Sequence, residues 1–561
     1  MLSEGNMALS KSGNYFISKT SVVLRKTASP KGTALNHLIF GDWLRWRGET
    51  KGAWQKVRCR GNEGWIKTSE FNNQRILEIN FVDIGQGDGA HIVTPEDKVI
   101  VIDAGKTENM FRFLSWRYNL HNRKVAGVDG VKASDSGARK PFNIEQAVIS
   151  HPDLDHYYGF RNLFAHPKLK FGTVFHNGIV ERPVSKAEKN SVKGKKNIKY
   201  FSDLGLAVKG DNGKFYLLDV VNSNKAMRDL VKAHPKTSKK YLSTMRAAVD
   251  NPANKGLKFK ALSANDKHLP GFDGTGQVTI DILGPVTEKV THGGKNHQAL
   301  RKIGNEGVTK NGHSVVFQLK IGKLKVMLGG DLNTESEDYL LRHYCGINED
   351  TSHLESVVYE LRAKGDDLTE DEKGELQVAE SSLAAIVSKG RQTFQVDVAK
   401  ACHHGSHHFS ETFLKAINAI AVVISSGDAE AYSHPRPDAL GAFGKYGRGH
   451  RPLLFSTEIA RSTREFTPVF KFYERIKKFE ADLKSAQSKR EKARLQKEIE
   501  QEKSRNVAVY GMITLRTDGD TVIIAQKIEE PSGKDRKWDI QELAFNNARG
   551  EFEYKDRTKS H

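Results

Sequence analysis

The sequence predicts an α/β protein preceded by a small all-β module, and three observations carry that expectation. Residues 13–72 break into short runs such as "SVVLRK", "GAWQKVRC" and "EGWIKTSEF", separated by Gly, Ser and Pro, which is the texture of a small five-stranded barrel. From residue 76 onward, apolar runs such as "ILEINFVDIG", "KVIVIDAG" and "HSVVFQLKIG" interleave with helical stretches, which argues for α/β layering. The length of 561 residues suggests two to four units at about 150 residues each.

Composition narrows the class further. Apolar residues make up 38% and charged residues 28%, so the chain reads as globular and not as a fibrous or disordered one. The longest apolar stretch, Ala416 to Ile424, contains Asn418 and falls far short of the ~20 residues of a spanning helix. The first residues carry no basic-then-apolar leader, so no membrane is expected. Three cysteines, Cys59, Cys345 and Cys402, are too few and too widely spaced for a disulfide framework or a paired-cysteine zinc module. They suit a reducing, cytoplasmic compartment. Against these stands a net charge of +20, which points to a polyanionic partner, nucleic acid first.

Taken along the chain, the barrel at 13–72 carries Trp43, Trp46, Trp54 and Trp65, which either line a groove or fill its core. The α/β domain is expected over 76–530, with three insertions. Residues 182–260 hold 19 Lys/Arg against 6 Asp/Glu, net +13. Residues 349–390 reverse that, with 4 against 11, and read as a solvated helical pair. Residues 471–505 follow helical spacing through Ile476, Phe479, Leu483 and Ala486, but Arg490 and Lys497 break the heptad. A short helical arm or hairpin is therefore expected there. Residues 531–561 read as a charged C-terminal tail.

The chemistry concentrates in His151-Pro-Asp153-Leu-Asp155-His156, four potential ligands within six positions directly after the apolar strand ending at Ile149. Asp103 ends "VIVID", Asp331 follows "VMLGG", and His403-His404 follow "VDVAKAC". Each puts a metal-competent side chain at the end of an apolar strand, where the sites of layered α/β proteins gather. Imidazole nitrogens with carboxylate oxygens suit zinc, manganese or iron. His176 ends another strand near these groups and is a candidate gate, while His407 and His408 are expected to face solvent.

In order, these blocks resemble the metallo-β-lactamase fold hydrolases and, among them, the soluble nuclease-like domain of the ComEC competence proteins. The matching blocks are Val82–Gly89, His151–Gly159, Asn311–Ser314, Leu328–Asp331, Ala401–Ser406 and His434-Pro435, closed by Gly511–Thr514 and Asp518-Gly519. The runs Trp54–Val57 and Gly64–Ile66 are similar to the late strands of bacterial SH3 domains. The resemblance implies a four-layer αββα sandwich preceded by an SH3-like barrel. It also implies two divalent ions, zinc first and manganese second. His151 and Asp153 would hold one, Asp155 and His156 the other, with Asp331 bridging and His403 completing the second. Relatives often place a further histidine before the bridging aspartate; here Asn311 or His313 would substitute for it, His313 as a metal ligand. Asp103 would orient the loop from behind the ligands, and Asp155 would also orient the shared water. His404 and His434 would contact a phosphate oxygen or protonate the leaving alkoxide.

The expected function is a metal-dependent phosphodiesterase acting on DNA through a hydroxide activated by two metals. Lys186, Lys189, Lys193, Lys195, Lys196 and Lys199 would track a phosphate backbone without reading bases. The SH3-like module would take a protein or peptide partner. A small-molecule phosphodiester or ester hydrolase of the same fold is the alternative, and a non-enzymatic binding protein the least favoured reading.

Overall fold

A computed structural model describes residues 9–427, 432–457, 469–504 and 511–555. The first eight residues, which bear on the expected absence of a leader, lie outside the described residues, as do residue 505 of the helical arm and 556–561 of the tail. The chain is mixed α/β, with several sheets and helices between them. It divides into two compact units, Met1–Val82 with His91–Val99 and Ile459–His561, and Asp83–Ala90 with Ile100–Glu458.

In the first unit, seven antiparallel strands pair in the order Ala34–Ile39, Ser21–Arg25, Asn62–Lys67, Trp54–Cys59, Trp43–Lys51, Tyr15–Ile17 and Phe71–Asn72. Alternate residues turn inward, and Val22, Leu24, Leu38, Leu44, Val57, Cys59 and Ile66 form the core. The tryptophans divide between the two roles left open above. Trp65 is buried, whereas Trp43 is 44% exposed and donates from Nε1 to Asn14 Oδ1 at 3.0 Å. A second sheet of this unit runs Leu77–Phe81, Ile513–Thr517, Val522–Lys527, Trp538–Asn546 and Glu551–Tyr554, antiparallel throughout. The boundary expected at 72–76 therefore falls inside this unit, and the segment expected as a charged tail supplies two of its strands. Their inward residues, Trp538, Leu543 and Phe552, are sparse enough among charges to hide the alternation. Arg516 joins the two parts of the unit: its Nη1 donates to Phe40 O and to Asp42 Oδ1, both at 2.8 Å. The expected helical arm is a pair of helices, Val469–Ser485 and Lys489–Ser504, bridged by Arg475 and Glu502.

The second unit holds the parallel strands Val99–Ile102, Phe142–Ile149, Leu169–His176 and Lys258–Ala261. Their cores, such as "VIVI" and "AVI", are apolar on both faces and completely buried, as parallel strands covered on both sides must be. A seven-stranded sheet runs His268–Asp273, Val278–Gly284, Val316–Ile321, Leu324–Leu328, Val398–Lys400, Ala421–Ile424 and Leu453–Ser456. Its first four strands are antiparallel and its last four parallel. The acidic segment forms helices Thr351–Ala363 and Glu370–Phe394. It is not wholly solvated, because Ile386 and Phe394 enter the main core of this unit. The basic segment is ordered too. Its strands Ile198–Tyr200, Leu206–Lys209 and Phe215–Leu217 continue into Lys295–Arg301 and Glu288–His292 as a five-stranded antiparallel sheet.

Candidate metal centre

Four strand ends of the second unit deliver the candidate site. Phe142–Ile149 runs into Ser150 and His151, and Val315 N donates to Ser150 O at 2.9 Å, which fixes the loop before Val316–Ile321 beside it. Leu324–Leu328 ends in Gly329-Gly330-Asp331, and Val398–Lys400 leads into the His403-His404 turn. A loop with glycines at 85 and 87 closes the site. At Gly87, with φ +106°, a Cβ would sit 1.8 Å from Asp155 O. Only glycine lets this backbone approach the loop of Asp155 so closely. The neighbouring Gln86 then donates from Nε2 to Asp155 Oδ2 at 3.3 Å.

The centre is organised as two histidine–carboxylate pairs aimed at one aspartate. Asp103 accepts from Ser150 N at 2.8 Å and from Ser150 Oγ at 2.6 Å. Its Oδ2 lies 2.9 Å from His156 Nδ1. That pairing leaves His156 Nε2 facing Asp331 Oδ2 at 3.1 Å. His404 Nδ1 donates to Ser425 O at 3.2 Å with Asp88 Oδ1 beside it at 3.0 Å, while His404 Nε2 faces Asp331 Oδ2 at 3.1 Å and Asp155 Oδ2 at 3.9 Å. A carboxylate on the rear nitrogen is how metal-binding histidines are oriented and their front nitrogen made more basic.

His156, His404, Asp331, Asp103 and Asp88 are all buried. His156 Nε2, His404 Nε2 and Asp331 Oδ1 are buried without a hydrogen bond. Buried polar atoms are almost always satisfied, so the two imidazole nitrogens, which both face Asp331 Oδ2 at 3.1 Å, fit a cation held beside that carboxylate. Converging groups are His151, His156 and Asp331; Asp155, His156 and His404; Asp88, Asp331 and His404; and Asp88, Asp103 and His156. The mix of imidazole and carboxylate donors suits zinc or manganese.

The charged groups of the cluster perturb one another strongly. Burial alone would push the His156 imidazole down, but Asp331 and Asp103 reverse this and hold it well above its ordinary value. His404 is likewise pushed up to about 10: burial opposes the shift, and Asp331 and Asp88 drive it. Burial raises Asp331, yet His156 and His404 outweigh it and hold that carboxyl well below the usual range. The Lys400 ammonium adds a buried positive charge to this cluster. Lys400 Nζ donates to Gly330 O at 3.0 Å, pairs with Asp88 and lies 3.8 Å from Asp331 Oδ1.

Several expected roles change. His404, and not His403, converges on Asp331; both residues sit in a left-handed turn, with φ of 46° and 55°, and that turn sends the second ring inward. His403 is half-buried, with its ring 5.7 Å from that of His434. His434 is buried and its ring lies 6.0 Å from that of His404, so it stays beside the centre. His313 is not a ligand: its Nε2 donates to Arg301 O at 2.7 Å. Asn311 acts at one remove, its carbonyl accepting from Ser314 Oγ, which lies 3.2 Å from His151 Nδ1. Asp103 contacts both the loop, through Ser150, and the His156 ring. Asp153 belongs to none of the converging groups; its Oδ1 pairs with Lys310 Nζ at 2.5 Å. His176 is buried and its Nδ1 accepts from Gly178 N at 3.0 Å, which makes it a loop fastener and not a gate. His407 and His408 are exposed. Lys186, Lys189, Lys193, Lys195, Lys196 and Lys199 are all exposed, and Lys199 lies over the Phe215 ring at 3.9 Å.

Asp88, Lys400 and Lys310 are contributors that sequence reasoning missed. The signal for Lys400 was a single cation inside an otherwise apolar strand end, Val398-Ala399-Lys400. No family model matches the chain, and no curated protein matches it.

Proposed function

We propose that the chain is a metal-dependent phosphodiesterase that hydrolyses DNA, built on a metallo-β-lactamase-type αββα sandwich with an SH3-like module at residues 13–72. The observation that carries this reading is the pair of carboxylate-backed histidines, His156 and His404, whose open Nε2 atoms face Asp331. His156, Asp331, His404 and Asp155 would hold one divalent ion, and His151 with Asp153 and Asp331 a second, zinc or manganese. Ions so held lower the pKa of water toward neutrality and offset the charge that grows on phosphoryl oxygens.

The side chains supply the rest. Asp155, tied by Gln86, orients the attacking water. His403 and His434, side by side at the centre's edge, are placed to pass a proton from a ring nitrogen to the departing oxygen as the P–O bond breaks. The exposed lysines of 186–199 supply sequence-independent attraction for a phosphate backbone. Free Cys59, Cys345 and Cys402 suit a reducing cytoplasm, and among the described residues no helix is long and apolar enough to cross a membrane.

The test is cleavage of linear, circular and single-stranded DNA by metal-loaded protein, beside Asp331→Asn and His404→Ala. The expected result is metal-dependent cleavage that both substitutions abolish. Full activity in either variant overturns the assignment. Hydrolysis of a small chromogenic phosphodiester without DNA cleavage moves the reading to a small-molecule hydrolase.

A further inference from the structure

The two halves of the centre are unequal. On one side His156, His404, Asp155 and Asp331 converge in overlapping groups. On the other, His151 Nε2 lies 3.9 Å from Asp153 Oδ2, and the side chain that would complete this half, His313, is turned to Arg301 O. Lys310 supplies the positive charge in this half. It projects from the short helix Glu306–Gly312, and its Nζ meets Asp153 Oδ1 at 2.5 Å and Glu181 Oε1 at 3.1 Å. The Lys310 side chain is 12% exposed, so little water screens the ammonium.

An ammonium and a divalent ion compete for the same carboxylate. A second ion at His151 and Asp153 must displace Lys310 from Asp153 or sit beside its charge in a buried place, and both disfavour it. Glu181 keeps the competitor local, because its Oε1 holds Nζ independently at 3.1 Å.

We propose that Lys310 is a built-in cation that holds the Asp153 position against the second metal, so that this centre binds one divalent ion firmly and a second only weakly. The inference rests on the metal reading above and refines its stoichiometry.

The experiment is calorimetric titration of metal-stripped full-length protein with Mn2+ and with Zn2+, with bound metal counted by elemental analysis after gel filtration. The wild-type chain is expected to retain one ion, with a second step at least about tenfold weaker, a gap of about 1.4 kcal/mol. Lys310→Met is expected to retain two ions in steps of similar affinity, and Lys310→Met with Asp153→Ala to return to one. Lys310→Gln, which keeps polarity and loses charge, serves as the parallel variant if Lys310→Met does not melt cooperatively. Two ions of equal affinity in the wild type, or one ion in a cooperatively folded Lys310 variant, overturn the inference and leave the metal reading standing. No ion in any protein overturns the metal reading itself and the inference with it.

Discussion

Replacing Arg516 by Met should loosen the first unit by about 3 kcal/mol, and the magnitude follows from what the guanidinium leaves behind. Arg516 is 2% exposed. It serves Phe40 O and Asp42 Oδ1 at 2.8 Å and Glu78 Oε1 at 3.4 Å. Removing one partner of a buried ion pair costs about 3–5 kcal/mol, because the other charge stays buried. Asp42 is partly protected, since Arg60 still reaches it through Nε and Nη2 at 2.6 Å and Ile39 N at 3.0 Å. Glu78 keeps Asn80 Nδ2 at 3.1 Å. That places Arg516→Met near the lower end of the range. Asp42→Ala should cost more, because it removes the carboxylate shared by two guanidinium groups, Arg60 and Arg516. Trp43, Trp46, Trp54, Trp65 and Trp538 lie in the first unit and only Trp116 in the second. Tryptophan emission during urea unfolding therefore reports mainly on the unit perturbed. A loss below about 1 kcal/mol in both variants, the size of an exposed pair, would refute the reasoning. So would Arg516→Met costing more than Asp42→Ala.

Two further outcomes are expected. Lys195→Ala with Lys196→Ala should flatten the slope of log affinity for duplex DNA against log salt by about 0.9 for each phosphate no longer neutralised, hence by about 0.9 to 1.8. Hydrolysis of a small phosphodiester should be unchanged; an equal drop on both substrates would mean that the segment supports the site and not the polymer. Lys527 is held down to about 7 by burial and by the neighbouring Arg60 and Lys537. Between pH 7 and about 10 the unfolded chain then binds the extra proton, so stability should rise with pH across that window. Lys527→Met should flatten the rise and stabilise the protein at pH 7 by about 1–2 kcal/mol, read from melting curves at several pH values; an unchanged pH slope would refute it.

The parts of the centre that could be read from sequence were those where chemistry and strand pattern coincide. His151 to His156 follow a buried strand without a gap, and Asp331 and Asp103 each close an apolar run, so their placement needed only strand periodicity. The choice between His403 and His404 could not be read, because adjacent rings diverge according to backbone angles in a turn that no propensity encodes. Asp88 lies in a glycine loop whose course is set by its close approach to Asp155, a long-range contact. Lys310 and Lys400 matter through the distant carboxylates Asp153, Glu181 and Asp88 that the fold brings to them. At the fold level, strands and helices of the α/β region were legible from alternation. The pairing of Leu77–Phe81 with Ile513–Thr517 was not, since nothing local marks which distant strand a buried edge will take.

That pairing has a bearing on how the protein is made. Leu77–Phe81 leaves the ribosome early, but Phe81 meets its partner Ile513 only after 513 − 81 = 432 further residues. At about 5–20 residues per second, this is roughly 20–90 s during which the strand has an open edge and Glu78 and Asp42 lack the Arg516 guanidinium. An unpaired apolar strand is a template for other chains. The nascent protein is thus most prone to misassociate at its beginning, and that hazard ends only when the C-terminal strands arrive. Truncation near the C-terminus should accordingly be felt first by the strands at the opposite end of the chain.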